Sequence, residues 1–157
     1  MPLPVQLARE QFAEVWPEVE ELAKWHASEV GDGAVEPRRR FALDAERLTA
    51  ASAAGALLVY TARRGSKLIG YLTWQPSWDV ESRGLLVAFQ GAWFVAPGNW
   101  GVAHKLFLHS LADMKLLGIR CCFPHHRLAG RGRGLAKFFL RWGAKPMKQE
   151  YILWIGD

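Results

Sequence analysis

Cysteine is scarce: two residues in 157, and the two are adjacent, Cys121 and Cys122. Neighbouring cysteines in an apolar segment do not close a structural disulfide within a chain. Paired thiolate ligands normally stand two to four residues apart, so a cysteine metal site is not expected either. No histidine pair has metal-ligand spacing, and no Ser-His-Asp or thiol-nucleophile pattern is present. No apolar run approaches the roughly 18–20 residues that span a membrane. The opening MPLPVQLAREQF lacks the basic region, apolar run and small-residue cleavage site of a signal peptide, so the expectation is a cytoplasmic protein with no membrane partner. Repeats, low-complexity tracts and linkers are also missing, which leaves residues 1–157 as one expected domain.

Apolar residues make up 50% of the chain, enough for a full core. The formal charge is +5, with Lys and Arg gathered in Arg38–Arg40, Arg63–Lys67 and Arg127–Lys148. A basic surface suits phosphates, whether on a small ligand or on nucleic acid, and selects neither. Eight tryptophans are many for this length. Most suit a core or its edge, and an exposed subset would stack on bases.

Val5–Ala8 reads as a first strand. Phe12, Val15, Trp16, Val19, Leu22, Ala23 and His26 recur at helical spacing to about Val30, and Pro17 predicts a kink or a restart within that helix. Asp44–Ala54 suits a second helix, with Asp44 as N-cap and Gly55 as its stop. Ala56–Arg63, Lys67–Gln75 and Gly84–Pro97 are strand-like, with Arg64-Gly65-Ser66 as the first turn. Gly91 inside the third run marks a bulge or a close backbone approach. A helix follows with Ala103, Leu106, Phe107, Leu111, Met114 and Leu117 on its apolar face, closed by Gly118. Ile119–Phe123 is a short strand, Leu135, Phe138, Phe139 and Trp142 form a last helix stopped by Gly143, and Gln149–Ile155 is a final strand. The order β-α-α-β-β-β-α-β-α-β predicts a mixed α/β (α+β) sheet with helices on its faces.

Ala92–Gly118, AWFVAPGNWGVAHKLFLHSLADMKLLG, carries the chemistry. A strand runs through Pro97 and a glycine turn into a long helix, and backbone N–H groups at a helix N-terminus suit a pyrophosphate or similar anion. This stretch, within this element order, resembles the acyl-CoA-binding core of the GNAT acetyltransferase superfamily, and most closely the small GNAT-like proteins of tailed bacteriophages. The resemblance implies acetyl-CoA as cosubstrate, its pantetheine arm along Phe94 and Val95. Its pyrophosphate would lie on the turn Gly98-Asn99-Trp100-Gly101-Val102-Ala103, with His104 beside it. Gly101 and Ala103 match the family pattern Arg/Gln-x-x-Gly-x-Gly/Ala, whereas Gly98 stands in place of Arg or Gln. Losing one charge-assisted contact costs roughly 1.5–3 kcal/mol. A second segment, Arg127–Gly134, matches the same letters and is assigned to the loop before the last helix.

The family often places a carboxylate on the central strand. Here Gln90-Gly91-Ala92-Trp93 offers none, and Asp79 and Glu81 suit an exposed hairpin. A tyrosine that often protonates the leaving thiolate corresponds to Phe139. His125 and His126 follow the fifth strand and are the expected catalytic residues, as general base, since histidine titrates near neutral pH. His26 suits packing or substrate-side lining, and Tyr60, Tyr71 and Tyr151 suit strand packing. The first expectation is an acyl-CoA-dependent N-acyltransferase acting on an amine of unknown size. The second is a catalytically silent GNAT-fold protein of phage virion assembly or host interaction, with a virion or host protein as partner. The third is nucleic-acid modification or binding.

Overall fold

The computed structural model describes residues 3–30, 43–99, 101–125 and 132–147. The chain forms two compact units, Met1–Phe123 and Pro124–Asp157.

In the first unit, β1 (Val5–Glu10), α1 (Phe12–Val30), α2 (Ala45–Ala53), β2 (Leu58–Arg64), β3 (Lys67–Trp78), β4 (Leu86–Val95), α3 (Val102–Leu116) and β5 (Cys121–Phe123) follow in that order. The strands form one sheet in the order β1-β2-β3-β4-β5. The first three pairings are antiparallel and the β4/β5 pairing is parallel. This is the expected mixed α/β sheet. The two-residue turn Gly65–Ser66 sets the β2/β3 register at Arg64↔Lys67, and Gly65 takes the positive φ (61°) that such hairpins require.

One face of the sheet is covered by α1 and α2. The stripe Phe12, Val15, Val19, Leu22 and Ala23 packs against Val59, Leu68, Tyr71 and Phe94. Each such aliphatic or aromatic burial is worth about 1.5–3 kcal/mol. Asp44 caps α2 by accepting from the Arg47 N–H at 3.0 Å. Buried Ser52 accepts the Phe12 N–H at 3.0 Å and donates to Gln11 Oε1 at 3.1 Å, so α2 holds the start of α1. Pro17 lies inside α1 without restarting it. The hydrogen bond Pro17 cannot donate is the one to Ala13, four residues back, and both residues are on the exposed side of the helix.

The other face is covered by α3. Its buried residues are Val102, Leu106, Phe107, Ser110 and Met114. The expected stripe is thus turned so that Ser110, rather than Leu111, is at its centre. The cause is tertiary: the buried Trp74 indole donates to Ser110 Oγ at 3.0 Å, and Ser110 donates to the Phe107 carbonyl at 2.7 Å. Further along, Asp113 accepts from Tyr60 at 2.8 Å and from Arg9 at 2.9 Å, tying α3 to β2 and β1. Burial first, then the Asp113 carboxylate, pushes the Tyr60 hydroxyl well above its usual range.

In the second unit, α4 (Gly132–Arg141) ends at Gly143 (φ 82°), and the Ala144 N–H returns to the Phe139 carbonyl at 3.0 Å. Gly132 and Gly134 therefore open the helix instead of the loop before it. The expected strand Gln149–Ile155 lies outside the described residues.

Ser110→Ala leaves the buried Trp74 N–H without its acceptor. It should destabilise the protein by about 1–3 kcal/mol in urea unfolding, with an unchanged m-value.

Candidate functional site

Strand β4 is held by β5 for only three residues, Val87–Phe89 against Cys121–Phe123. The Phe89 and Phe123 rings stack there, 4.9 Å apart and 13° from parallel. Beyond that stack, no strand among the described residues pairs with β4 on this side. Among the described residues, β4 therefore runs on past β5 along Gln90–Val95, as the arm of a fork.

A bulge controls what that stretch presents. The β3/β4 register shifts between Leu72↔Trp93 and Trp74↔Gln90, so Thr73 faces both Gly91 and Ala92. Thr73 Oγ1 takes the Ala92 N–H at 2.8 Å, in place of a main-chain carbonyl. Before the bulge, Leu85 bonds on the β3 side while the Leu86 carbonyl accepts from Arg120 on the β5 side. Strand alternation then turns Ala88 and Gln90 toward β5 as well. After the bulge, Ala92 and Ala96 bond on the β3 side, which turns Trp93 and Val95 toward the fork. Phe94 directs its main chain to β3 and buries its ring under α1.

At its end β4 meets a turn. Gly98 (φ 82°) and Gly101 (φ 81°) both adopt conformations that side-chain-bearing residues rarely take. Asn99 stiffens the turn by donating to the Ala96 carbonyl at 2.9 Å, and its own carbonyl accepts from Val102 at 3.2 Å. Gly101 is the N-cap of α3, no side chain caps the helix, and its first turn contains no acid. His104 and Lys105 stand exposed in that turn. The amides of Val102, Ala103 and His104 belong to the positive end of the helix dipole, and the first turn of the helix carries no acid. Main-chain geometry therefore fits an anion, with Lys105 the nearby cation in place of the absent arginine.

The expected residues are distributed as follows. Phe94, Val95, Gly98, Asn99, Gly101, Val102, Ala103 and His104 are contiguous from β4 into α3. Trp100 and His126 lie outside the described residues. His125 is exposed and belongs to the second unit. Asp79 Oδ1 accepts the Glu81 N–H at 2.9 Å within the β3–β4 hairpin, a turn role. Gln90 is 8% exposed and supplies no carboxylate.

Sequence reading passed over one cluster. His26 Nδ1 lies 3.0 Å from the Tyr71 hydroxyl. The imidazole stacks on Phe94 at 4.9 Å and 18°, and Trp25 meets the Phe94 edge at 5.8 Å. Burial pushes the Tyr71 hydroxyl well above its usual range, so it stays protonated. The signal in the sequence was a histidine on the buried stripe of α1, three residues after Ala23. Burial, then neighbouring Cys121, pushes the Cys122 thiol up to about 11, which makes it a poor nucleophile. No group of three or more metal-binding side chains occurs among the described residues, and no helix among them is long and apolar enough to cross a membrane.

Comparisons with known proteins place this architecture. No family model and no curated protein matches the chain. Among solved structures it is similar to an aminoglycoside acetyltransferase from an uncultured soil metagenomic sample. That match has a TM-score of 0.77 and 12% identity, over 98% of this chain and 100% of that one. It is similar to a ribosomal-protein-alanine N-acetyltransferase from Brucella melitensis biovar Abortus 2308, with TM-score 0.71, 15% identity and coverage of 98% and 100%. A predicted acetyltransferase from Clostridium acetobutylicum, solved with acetyl-CoA, matches at TM-score 0.64 and 11% identity over 96% of both chains. The fold is GNAT-like.

Two outcomes follow from the fork. A Cβ on Gly91 would overlap Thr73 Oγ1, so Gly91→Ala should cost about 1–3 kcal/mol in urea unfolding. In a Cys121→Ser background the burial remains, so Cys122 should still alkylate slowly at pH 8 and speed up as pH rises, roughly tenfold per unit until the thiol titrates.

Proposed function

We propose that the protein transfers an acyl group from acyl-CoA, acetyl-CoA in the first instance, to an amine. The observation that carries this reading is the fork: β4 leaves β5 at the Phe89–Phe123 stack and runs on into the uncapped N-terminus of α3. In this reading the pantetheine amides lie along the Trp93 and Val95 main chain as a further strand would. The pyrophosphate rests on the Gly101–His104 turn, with Asn99 in the loop before it and Lys105 alongside. The GNAT-like fold supports the same placement.

The chain's own contribution is alignment. Holding a thioester and an amine in one orientation accounts for several kcal/mol of barrier without any strong acid or base. Binding both ends of the donor, at the strand and at the helix, fixes the acyl carbon near the bulge. His125 and His126 are the proton acceptors suggested by the sequence. The net charge of +5 disfavours a polycationic acceptor and leaves a small monoamine or a protein amine. The expected compartment is the cytoplasm.

Gly98 in the arginine position, Gln90 on β4 and Phe139 on α4 favour a second reading. In it the fold is kept without catalysis, as a component of a phage virion or a host-interaction protein. A nucleic-acid role would rest on the basic Arg127–Lys148 stretch.

Isothermal titration separates these readings. Acetyl-CoA and CoA should bind with micromolar Kd. Ala103→Asp places a carboxylate at the positive end of α3, which suits the helix and opposes a pyrophosphate. It should weaken both ligands at least tenfold with no loss of Tm. Absence of heat at millimolar ligand removes the transferase reading and directs attention to a macromolecular partner.

A further inference from the structure

Phe89 is 41% exposed on a strand that is paired from both sides, with Gln75 and with Phe123. Trp74 turns to α3 through its bond to Ser110, so alternation puts Gln75 on the opposite face of the sheet. Phe89 stands directly across from Gln75 and shares that face, and the Phe123 ring stacks on it there. Neither ring belongs to the core that α1 builds on the same face. An open aromatic pair thus marks the last rung between β4 and β5, two residues, or about 7 Å of strand, before Gly91. Beside the pair on this face are Thr73, Gln75 and Ser77 of β3 and Cys121 of β5, all uncharged, with Gln75 and Ser77 exposed. Such a surface is selective. A third ring gains from stacking or edge contact with two fixed rings beyond the area it buries. A polycation meets no carboxylate on these strands to replace its water. An apolar surround also favours the free amine over its ammonium, and the free amine is the nucleophile.

We propose that the acceptor is a monoamine carrying an aromatic ring, which docks against Phe89 and Phe123 and brings its nitrogen to the acyl carbon near the bulge. This rests on the transferase reading above. The nitrogen forms a bond to the acyl carbon and gives one proton to water. The carbon–sulfur bond breaks, and CoA leaves as a thiolate that takes a proton from water. Phe89 and Phe123 select the amine and move no proton. The acceptor then lies on the sheet face opposite α3, while the donor occupies the strand edge.

The test uses the full chain, saturating acetyl-CoA and four amines: 2-phenylethylamine, 2-cyclohexylethylamine, an amino sugar and a lysine peptide without aromatic residues. Products are read by mass. Calorimetry with acetyl-CoA and thermal melting accompany every variant. Wild-type kcat/KM for phenylethylamine should exceed that for cyclohexylethylamine about tenfold, and those for the amino sugar and the peptide about 100-fold. Phe89→Leu keeps an apolar side chain and removes the ring. It should lower kcat/KM for phenylethylamine about tenfold, chiefly through KM, with cyclohexylethylamine within about threefold and acetyl-CoA affinity within about twofold of wild type. A ring that only supported the fold would lower both amines together. Gln75→Glu, at an exposed position, brings a carboxylate beside the pair. It should raise kcat/KM for the amino sugar about fivefold and lower it for phenylethylamine, and it decides should Phe89→Leu melt early. Wild-type protein that acylates the amino sugar or the peptide as well as phenylethylamine overturns the assignment of the acceptor. An unchanged ratio between the two matched amines in Phe89→Leu overturns it too. Wild-type protein that binds acetyl-CoA and acylates none of the four amines also overturns it and leaves the donor site standing. Wild-type protein that does not bind acetyl-CoA overturns the transferase reading, and the acceptor with it.

Discussion

A single side chain standing in for the backbone organises the centre of this molecule. Thr73 Oγ1 takes the amide of Ala92 where the β3 main chain would have bonded in a regular ladder. That substitution is possible only because Gly91 has no Cβ to occupy the place of the hydroxyl. Together they insert one residue into β4 and exchange the two sets of main-chain groups along it. In a regular ladder over the same residues, the groups that Trp93 and Val95 turn to the fork would face β3, and Phe94 would no longer lie under α1. Both the strand edge and the His26–Phe94 stack therefore depend on one local irregularity.

The two faces of the sheet do different work around this point. On the α3 side, Trp74, Phe107 and Trp93 pack closely, and the Trp74–Ser110 hydrogen bond fixes the rotation of the helix. That rotation aims the start of α3 from the end of β4. On the α1 side, packing gives way near β4 to a polar pair, His26 and Tyr71. Rigidity thus lies behind the end of β4, and on the opposite face a hydrogen-bonded polar pair interrupts the apolar packing.

Local patterns were legible in the sequence and tertiary ones were not. The α1 stripe, the Asp44 cap, the stop at Gly55, the Gly65 turn and the irregularity at Gly91 each follow from a few neighbouring residues, and the structure has all of them. The rotation of α3 was missed because it is set by an indole 36 positions away in sequence. The His26–Tyr71 pair, 45 positions apart, was missed for the same reason: periodicity assigns a face and not a partner. Of the kink or restart expected at Pro17, the restart does not occur, since α1 runs through it as one helix. The glycine turn was legible as the start of a helix, and the direction of the Phe94 main chain toward β3 depends on the bulge. Trp100, His126 and Gln149–Ile155 lie outside the described residues.

The Phe89–Phe123 stack and the N-cap Gly101 mark the two ends of a measured length. Between the stack and the turn, Gln90–Val95 extends for roughly 20 Å at about 3.3 Å per residue. For a donor gripped at both ends, that length acts as a ruler. A thioester on a short thiol would reach the bulge but not the helix, and a bare nucleotide would reach the helix but present nothing at the bulge. In the acyl-CoA reading, selectivity for the carrier would thus be written in the spacing of two backbone features, and the identity of the acyl group would be left open.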